Sequence, residues 1–168
     1  MKSLVSTTFA LFLSAQAHLA FAQESSGPPQ FPTEPAAVSE SYLARAQDVA
    51  LGAMNYLGIP YRWGGSTPES GFDCAGLVQY VFKQTLGMVL PRTSFDMGVT
   101  GKSVSVTDLM PGDLVFFNTM RAPFSHVGIY IGENRFIHAP RRGKNVEIVD
   151  MNGSYWQQRY NGARRLAQ

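Results

Sequence analysis

Gly71-Phe72-Asp73-Cys74-Ala75-Gly76-Leu77-Val78 reads as a loop that runs into a capped helix, with the chain's one cysteine in the first turn. Leu77, Val78, Val81 and Phe82 supply a helical apolar stripe. Asp73 is suited to the N-cap and Gly87 to the C-cap. Backbone N–H groups at a helix start are unpaired, and the helix dipole there is positive. Both favour thiolate at Cys74, since a free thiol titrates near ~8.5 and helix N-termini can bring it to ~3.5–7.5. A second reading stands beside this one. Cys74, Leu77, Val78 and Val81 follow the i, i+3, i+4, i+7 pattern, so the sulfur is equally suited to be a small apolar group in a core.

Before this stretch, Leu43, Ala46, Ala50, Ala53 and Leu57 recur at helical spacing from about Ser41, and Gly58 and Pro60 end the run. A glycine-rich loop follows over residues 61–71. After the Cys74 helix, residues 90–101 read as irregular, with one helical turn past Arg92. The period then changes. Residues 113–117, 126–131 and 135–139 read as strands, with weaker candidates at 146–149 and 162–166. Helices first and hairpin-linked strands after them predict an α+β fold, with N-terminal helices packed on a small antiparallel sheet.

The composition narrows the chemistry. At 168 residues the chain has room for one domain. A formal net charge of +2 offers no clustered basic face, so no nucleic-acid partner is expected. One cysteine excludes an internal disulfide and any Cys₂ or Cys₄ zinc cluster. Residues 1–22 read as an export signal: Lys2, a short apolar core from Phe9 to Leu13, then Ala20-Phe21-Ala22 before the cut. Ser14, Gln16 and His18 interrupt the run before it reaches the ~18–20 apolar residues of a membrane span. No cysteine lies near the cut, so a lipoprotein is not expected. The expected location is the periplasm or the exterior. Residues 23–40, with Pro28, Pro29, Pro32 and Pro35, read as a disordered tether, and 41–168 as the folded domain.

Export sharpens the case of Cys74, because an oxidising compartment consumes idle thiols. With His18 in the leader, His126 and His138 are the remaining histidines. In a strand His126, Gly128 and Tyr130 share a face, and in the next Phe136 and His138 share one. A three-residue loop over 132–134 sets Gly128 opposite His138, with His126 a diagonal neighbour ~7–8 Å away between backbones. Gly128 would leave space for the rings to meet. Each histidine alone could be a satisfied, partly buried polar group. Two on one face beside a lone cysteine suggest a nucleophile–base pair: Cys74 attacks an acyl carbon, His126 carries the proton and His138 orients His126. The other possibility is a Cys-His₂ zinc hydrolase. It ranks lower, since no HExxH spacing or adjacent general-base Glu accompanies the histidines; no metal and no cofactor is expected.

Six ordered blocks resemble the NlpC family of papain-like cell-wall cysteine peptidases. They are Pro60-Tyr61-Arg62-Trp63-Gly64-Gly65, the Gly71 to Val78 stretch, Leu90-Pro91-Arg92-Thr93-Ser94, Pro111-Gly112-Asp113-Leu114-Val115-Phe116-Phe117, Ser125-His126-Val127-Gly128-Ile129-Tyr130 and Phe136-Ile137-His138-Ala139. The resemblance implies a papain-like fold, a nucleophilic Cys74, a general-base His126 and an orienting His138. It implies that Tyr61, equally readable as a loop anchor, helps to hold the oxyanion, and it puts Asp73 beside the substrate. The implied activity is cysteine-type endopeptidase cleavage of peptidoglycan stem peptides, at D-γ-glutamyl–diaminopimelate bonds or at cross-links. A wall-binding module without turnover is the reading outside enzymes. Arg141, Arg142 and Lys144 could meet stem carboxylates or form a solvated basic turn. Trp63 could wall the cleft or pack. The chain departs from the pattern at Met97, where many relatives place Gln.

Overall fold

The computed structural model describes residues 40–166. The leader expected over 1–22 lies outside them, as does the tether apart from Glu40, which opens the first helix. This helix, α1 (Glu40–Met54), buries Ala46, Val49, Ala50 and Ala53. It stops short of the predicted end: Leu57 lies beyond it and is exposed. Next come a short hairpin, β1 (Ser66–Thr67) and β2 (Gly71–Phe72), inside the stretch expected to be loop. Helix α2 (Cys74–Leu86) has the predicted caps: Asp73 accepts from the Gly76 N–H, and Gly87, at φ 66°, donates to the Lys83 carbonyl. Thr93 caps the single helical turn α3 (Ser94–Gly98).

A six-stranded antiparallel sheet makes up the second half, in the order β3-β8-β4-β5-β6-β7. Its strands are β3 (Lys102–Val104), β4 (Leu114–Phe117), β5 (His126–Gly132), β6 (Arg135–His138), β7 (Glu147–Asp150) and β8 (Tyr160–Arg165). A four-residue helix, α4 (Ser154–Gln157), precedes β8. The α+β expectation with an antiparallel sheet therefore holds. The β5–β6 connection is shorter than expected. It is a two-residue turn, Glu133-Asn134, with both residues at positive φ, the primed-turn geometry that suits strand twist. Gly132 pairs with Arg135, and an irregularity before Gly132 restores the expected register, Tyr130 opposite Phe136 and Ile129 opposite Ile137.

Side-chain alternation gives the sheet two faces. Leu114, Phe116, Val127, Ile129 and Ile137 pack with Leu77, Val78, Val81 and Phe82 of α2 and Val49 and Ala53 of α1. Met97 is fully buried in the same core, so the departure from the Gln pattern falls at an interior apolar position. Val115, Phe117, Tyr130, Phe136 and Ala163 form the second core, roofed by Trp156 and Tyr160. His126 and His138 alternate onto this second face and are buried there. Gly128 between them does not hold space open for the imidazoles. A Cβ there would meet the Phe136 ring at 2.4 Å and the Ile137 carbonyl at 2.8 Å, so its absence admits Phe136 instead.

Candidate active site

Asp73 organises the entrance to α2. Its Oδ1 accepts from the Gly76 N–H at 2.7 Å and its Oδ2 from the Gly64 N–H at 2.9 Å. Arg92 clamps both oxygens, at 3.0 and 2.6 Å. The glycine loop presses onto the first helical turn, where the Asp73 N–H donates to the Gly65 carbonyl. A Cβ on Gly76 would lie 2.0 Å from that same oxygen, which explains why Gly follows Cys-Ala here.

Cys74 is half-buried and lines a cleft of about 890 Å³. The expected thiolate is not what this environment favours. Burial, and then the Asp73 charge, push the Cys74 thiol up to about 11; backbone hydrogen bonds from Val127, Ala75 and Cys74 itself pull the other way and lose. Dipole reasoning ranks the first turn correctly as a source of amide donors. It leaves out the desolvation and the adjacent carboxylate, which together prevail.

The imidazoles are hydrogen-bonded to each other, His126 Nε2 to His138 Nδ1 at 2.7 Å, with the rings perpendicular and 5.0 Å apart. Trp156 stacks along His126 and meets His138 edge-on, holding both orientations. Burial lowers the His126 pKa to about 4. His138 is lowered too, by burial and then by His126. At neutral pH both rings are therefore uncharged. Because the facing nitrogens are in hydrogen-bond contact, there is no room for an ion at Zn–N distances of ~2.0–2.1 Å between them. Among the described residues, no three of His, Cys, Asp and Glu converge as a metal-ligand set. The donor geometry thus disfavours the Cys-His₂ zinc alternative.

Tyr61 lines the same cleft, and burial first, then the neighbouring Cys74 and Asp73 groups, push its phenol pKa up. Its backbone is also an anchor: the N–H donates to the Lys144 carbonyl at 2.8 Å. Both readings of Tyr61 are thus compatible with its position.

The NlpC/P60 family model matches residues 58–165, spanning the hairpin, the Cys74 helix and both histidine strands. The chain belongs to the NlpC/P60 family. It is 41% identical over 136 residues to the murein DD-endopeptidase MepH of Escherichia coli K12, covering 77% of this chain and 50% of that protein. With the E. coli K12 murein DD-endopeptidase MepS/murein LD-carboxypeptidase it shares 46% identity over 128 residues, covering 74% of this chain and 66% of that one. The chain thus spans one half to two thirds of these two curated relatives. A crystal structure of an NlpC/P60 family protein from Bacillus cereus ATCC 10987 superposes with a TM-score of 0.68 at 35% identity, over 73% of this chain and 40% of that one.

The fold brings Tyr61, Asp73, Cys74, His126 and His138 to one cleft, as the sequence predicts. Arg141, Arg142 and Lys144 line it as well, and Trp63 walls it while 73% exposed, so Trp63 is not interior packing. Sequence reasoning missed Trp156 and Glu147. A lone tryptophan in a short uncapped helix gives no local signal of contact with residues 18 and 30 positions earlier, and a glutamate on a weak strand reads as solvent-facing.

Proposed function

We propose that this protein is a cysteine peptidase that hydrolyses peptide stems of peptidoglycan through Cys74, His126 and His138. The observation that carries the reading is the 2.7 Å bond between His126 Nε2 and His138 Nδ1 in the cleft that Cys74 lines. It occupies one nitrogen of His126 and leaves Nδ1 as the atom able to take the thiol proton. Cys74 and His126 both rest uncharged, so proton transfer to Nδ1 accompanies attack of the sulfur on the acyl carbon. The Cys74 backbone N–H, at the helix start, and the protonated Tyr61 hydroxyl are the donors for the oxyanion. His126 then protonates the leaving amine, and water attacks the thioester with His126 again as base. Asp73 acts on the substrate side by holding Arg92 and the glycine loop against α2.

The MepH and MepS names support a cross-link between stems as the scissile bond, with the D-γ-glutamyl–diaminopimelate bond as the second candidate. Stem peptides carry free carboxylates, and Arg141, Arg142 and Lys144 on the cleft wall suit them. The substrate would be met after export, in the periplasm or outside the cell. No helix among the described residues is long and apolar enough to cross a membrane. Digestion of purified peptidoglycan and defined muropeptides, with mass analysis of the fragments, tests this. New peptide termini that vanish in Cys74→Ala are expected. Binding without new termini would overturn hydrolysis in favour of a wall-binding module.

A further inference from the structure

The histidine pair ends on an atom that the proposed mechanism does not use. His138 Nε2 is fully buried and has no hydrogen-bond partner. Glu147 Oε1 lies 3.8 Å from it. Glu147 stands directly opposite His138 in the β6–β7 register, so the strand pairing itself aims the carboxylate at the ring. Glu147 is half-exposed and lines the cleft.

One proton lies between His126 Nε2 and His138 Nδ1, and its owner determines which tautomers the pair adopts. If His138 Nδ1 holds it, His126 Nε2 is the acceptor, His126 carries its own proton on Nδ1, and it cannot take one from Cys74. His138 Nε2 would then turn a lone pair toward the carboxylate. If His126 Nε2 holds the proton, Nδ1 of His126 is free to act as base. His138 must then carry its proton on Nε2, pointing at Glu147. An ionised carboxylate only accepts, so it opposes the first arrangement and favours the second.

We propose that Glu147 is a positioning residue, which fixes the tautomer of His138 and through it the free Nδ1 of His126. This rests on the cysteine-peptidase reading above and adds a fourth member behind the three. The carboxylate also stabilises the positive charge that the pair acquires when the thiol proton arrives. The other ionisable groups lining the cleft are Tyr61, Asp73, Cys74, Arg92 and Tyr155, with Arg141, Arg142 and Lys144 on the β6–β7 connection. The cations oppose that charge and Asp73 is engaged by Arg92, whereas the Glu147 carboxylate faces His138.

The test compares wild type with Glu147→Ala and Glu147→Gln, with Asp48→Asn on exposed α1 surface as the matched loss of charge. Long-range proton–nitrogen correlation on histidine-labelled protein reads the tautomers without substrate. The wild type is expected to hold His138 protonated at Nε2, and Glu147→Ala to shift it toward the Nδ1-protonated form. With a defined muropeptide, kcat in Glu147→Ala is expected to fall about fivefold with KM unchanged, the scale of a half-exposed charge pair. Glu147→Gln, which keeps an acceptor oxygen, is expected to lie between. The acid limb of kcat/KM moves to lower pH in both, because the active form holds His126 neutral and removal of a nearby negative charge lowers an imidazolium pKa. Unchanged tautomers and pH profile, or a rise in KM at constant kcat, would overturn the proposal, the latter by making Glu147 a substrate contact. If wild type gives no Cys74-dependent cleavage, the peptidase reading fails, and the tautomer spectra still decide what Glu147 does to His138.

Discussion

Strands β5 and β6 show two different surfaces to the two sides of the sheet. On the helix side Val127, Ile129 and Ile137 are fully buried among aliphatic and aromatic neighbours. One residue out of step, His126, Phe136 and His138 meet Trp156, with Gly128 giving way to the Phe136 ring. The same backbone ladder serves both, so strand alternation puts purely apolar packing on one face and, beside the second core, the two imidazoles on the other. The helix side draws its stability from apolar burial, whereas the cleft side keeps two imidazoles out of water with a single hydrogen bond between them. A substitution on one face should therefore change turnover and on the other stability.

The largest effect is expected at the sulfur. Cys74→Ala removes the proposed nucleophile, and turnover should fall by about 10⁵-fold or more, while the melting curve stays close to wild type. His126→Ala should cost on the order of 10³-fold, the scale of a positioned general base. His138→Ala should cost less, on the order of 10- to 100-fold, because a neutral ring orients His126 without adding charge. Equal losses at all three positions, measured as kcat on one muropeptide, would break the division of roles between His126 and His138.

The helix side gives the opposite pattern. Ile129→Ala empties a fully buried site between sheet and helices and should lower stability by about 2–5 kcal/mol, read from urea unfolding. Turnover per folded molecule should stay within about twofold of wild type. Gly128→Ala tests the boundary between the faces. Its new methyl meets the Phe136 ring and the Ile137 carbonyl, and overpacking of this kind costs about 1–3 kcal/mol. The shift of Phe136, which packs against His138, should carry some of that cost into turnover.

What the sequence made legible follows from the same physics. Helix α2 could be read because Asp73 and Gly87 bracket an apolar stripe, and both caps act locally. Strands β4, β5 and β6 could be read from runs of Val, Ile and Phe, and period two put both histidines on one face. β3 was missed because Lys102 and Ser103 are exposed and the strand exists only by pairing with β8. The hairpin β1–β2 and helix α4 are too short for any periodicity. In the site, residue types and neighbours were legible, but the charge state of Cys74 was not. A helix dipole can be inferred from position, whereas desolvation and the closeness of Asp73 exist only once the loop has folded over α2. Trp156 and Glu147 were missed for the same reason, since their contacts with the histidines are made across the fold.

The smallest effect at any one step of pH sharpens the comparison by titration. His126 titrates near 4 in the folded chain, against about 6.5 when exposed, and His138 is lowered in the same direction, both by burial. Above pH 6.5 the rings are neutral in either state and make no difference to stability. As pH falls from 6.5 toward 4, the unfolded chain takes up protons that the folded chain refuses, so stability is lost across that window. Each buried ring contributes at most about 1.4 kcal/mol per pH unit to this slope. His126→Ala removes one of the two, and the difference in urea midpoint from wild type should narrow steadily as the pH is lowered through the window. Ile129→Ala, on the apolar side, carries no titrating group and should run parallel to wild type at every pH. If His126→Ala also runs parallel, the imidazole is not held neutral by burial, and the contrast between the two faces is one of shape alone.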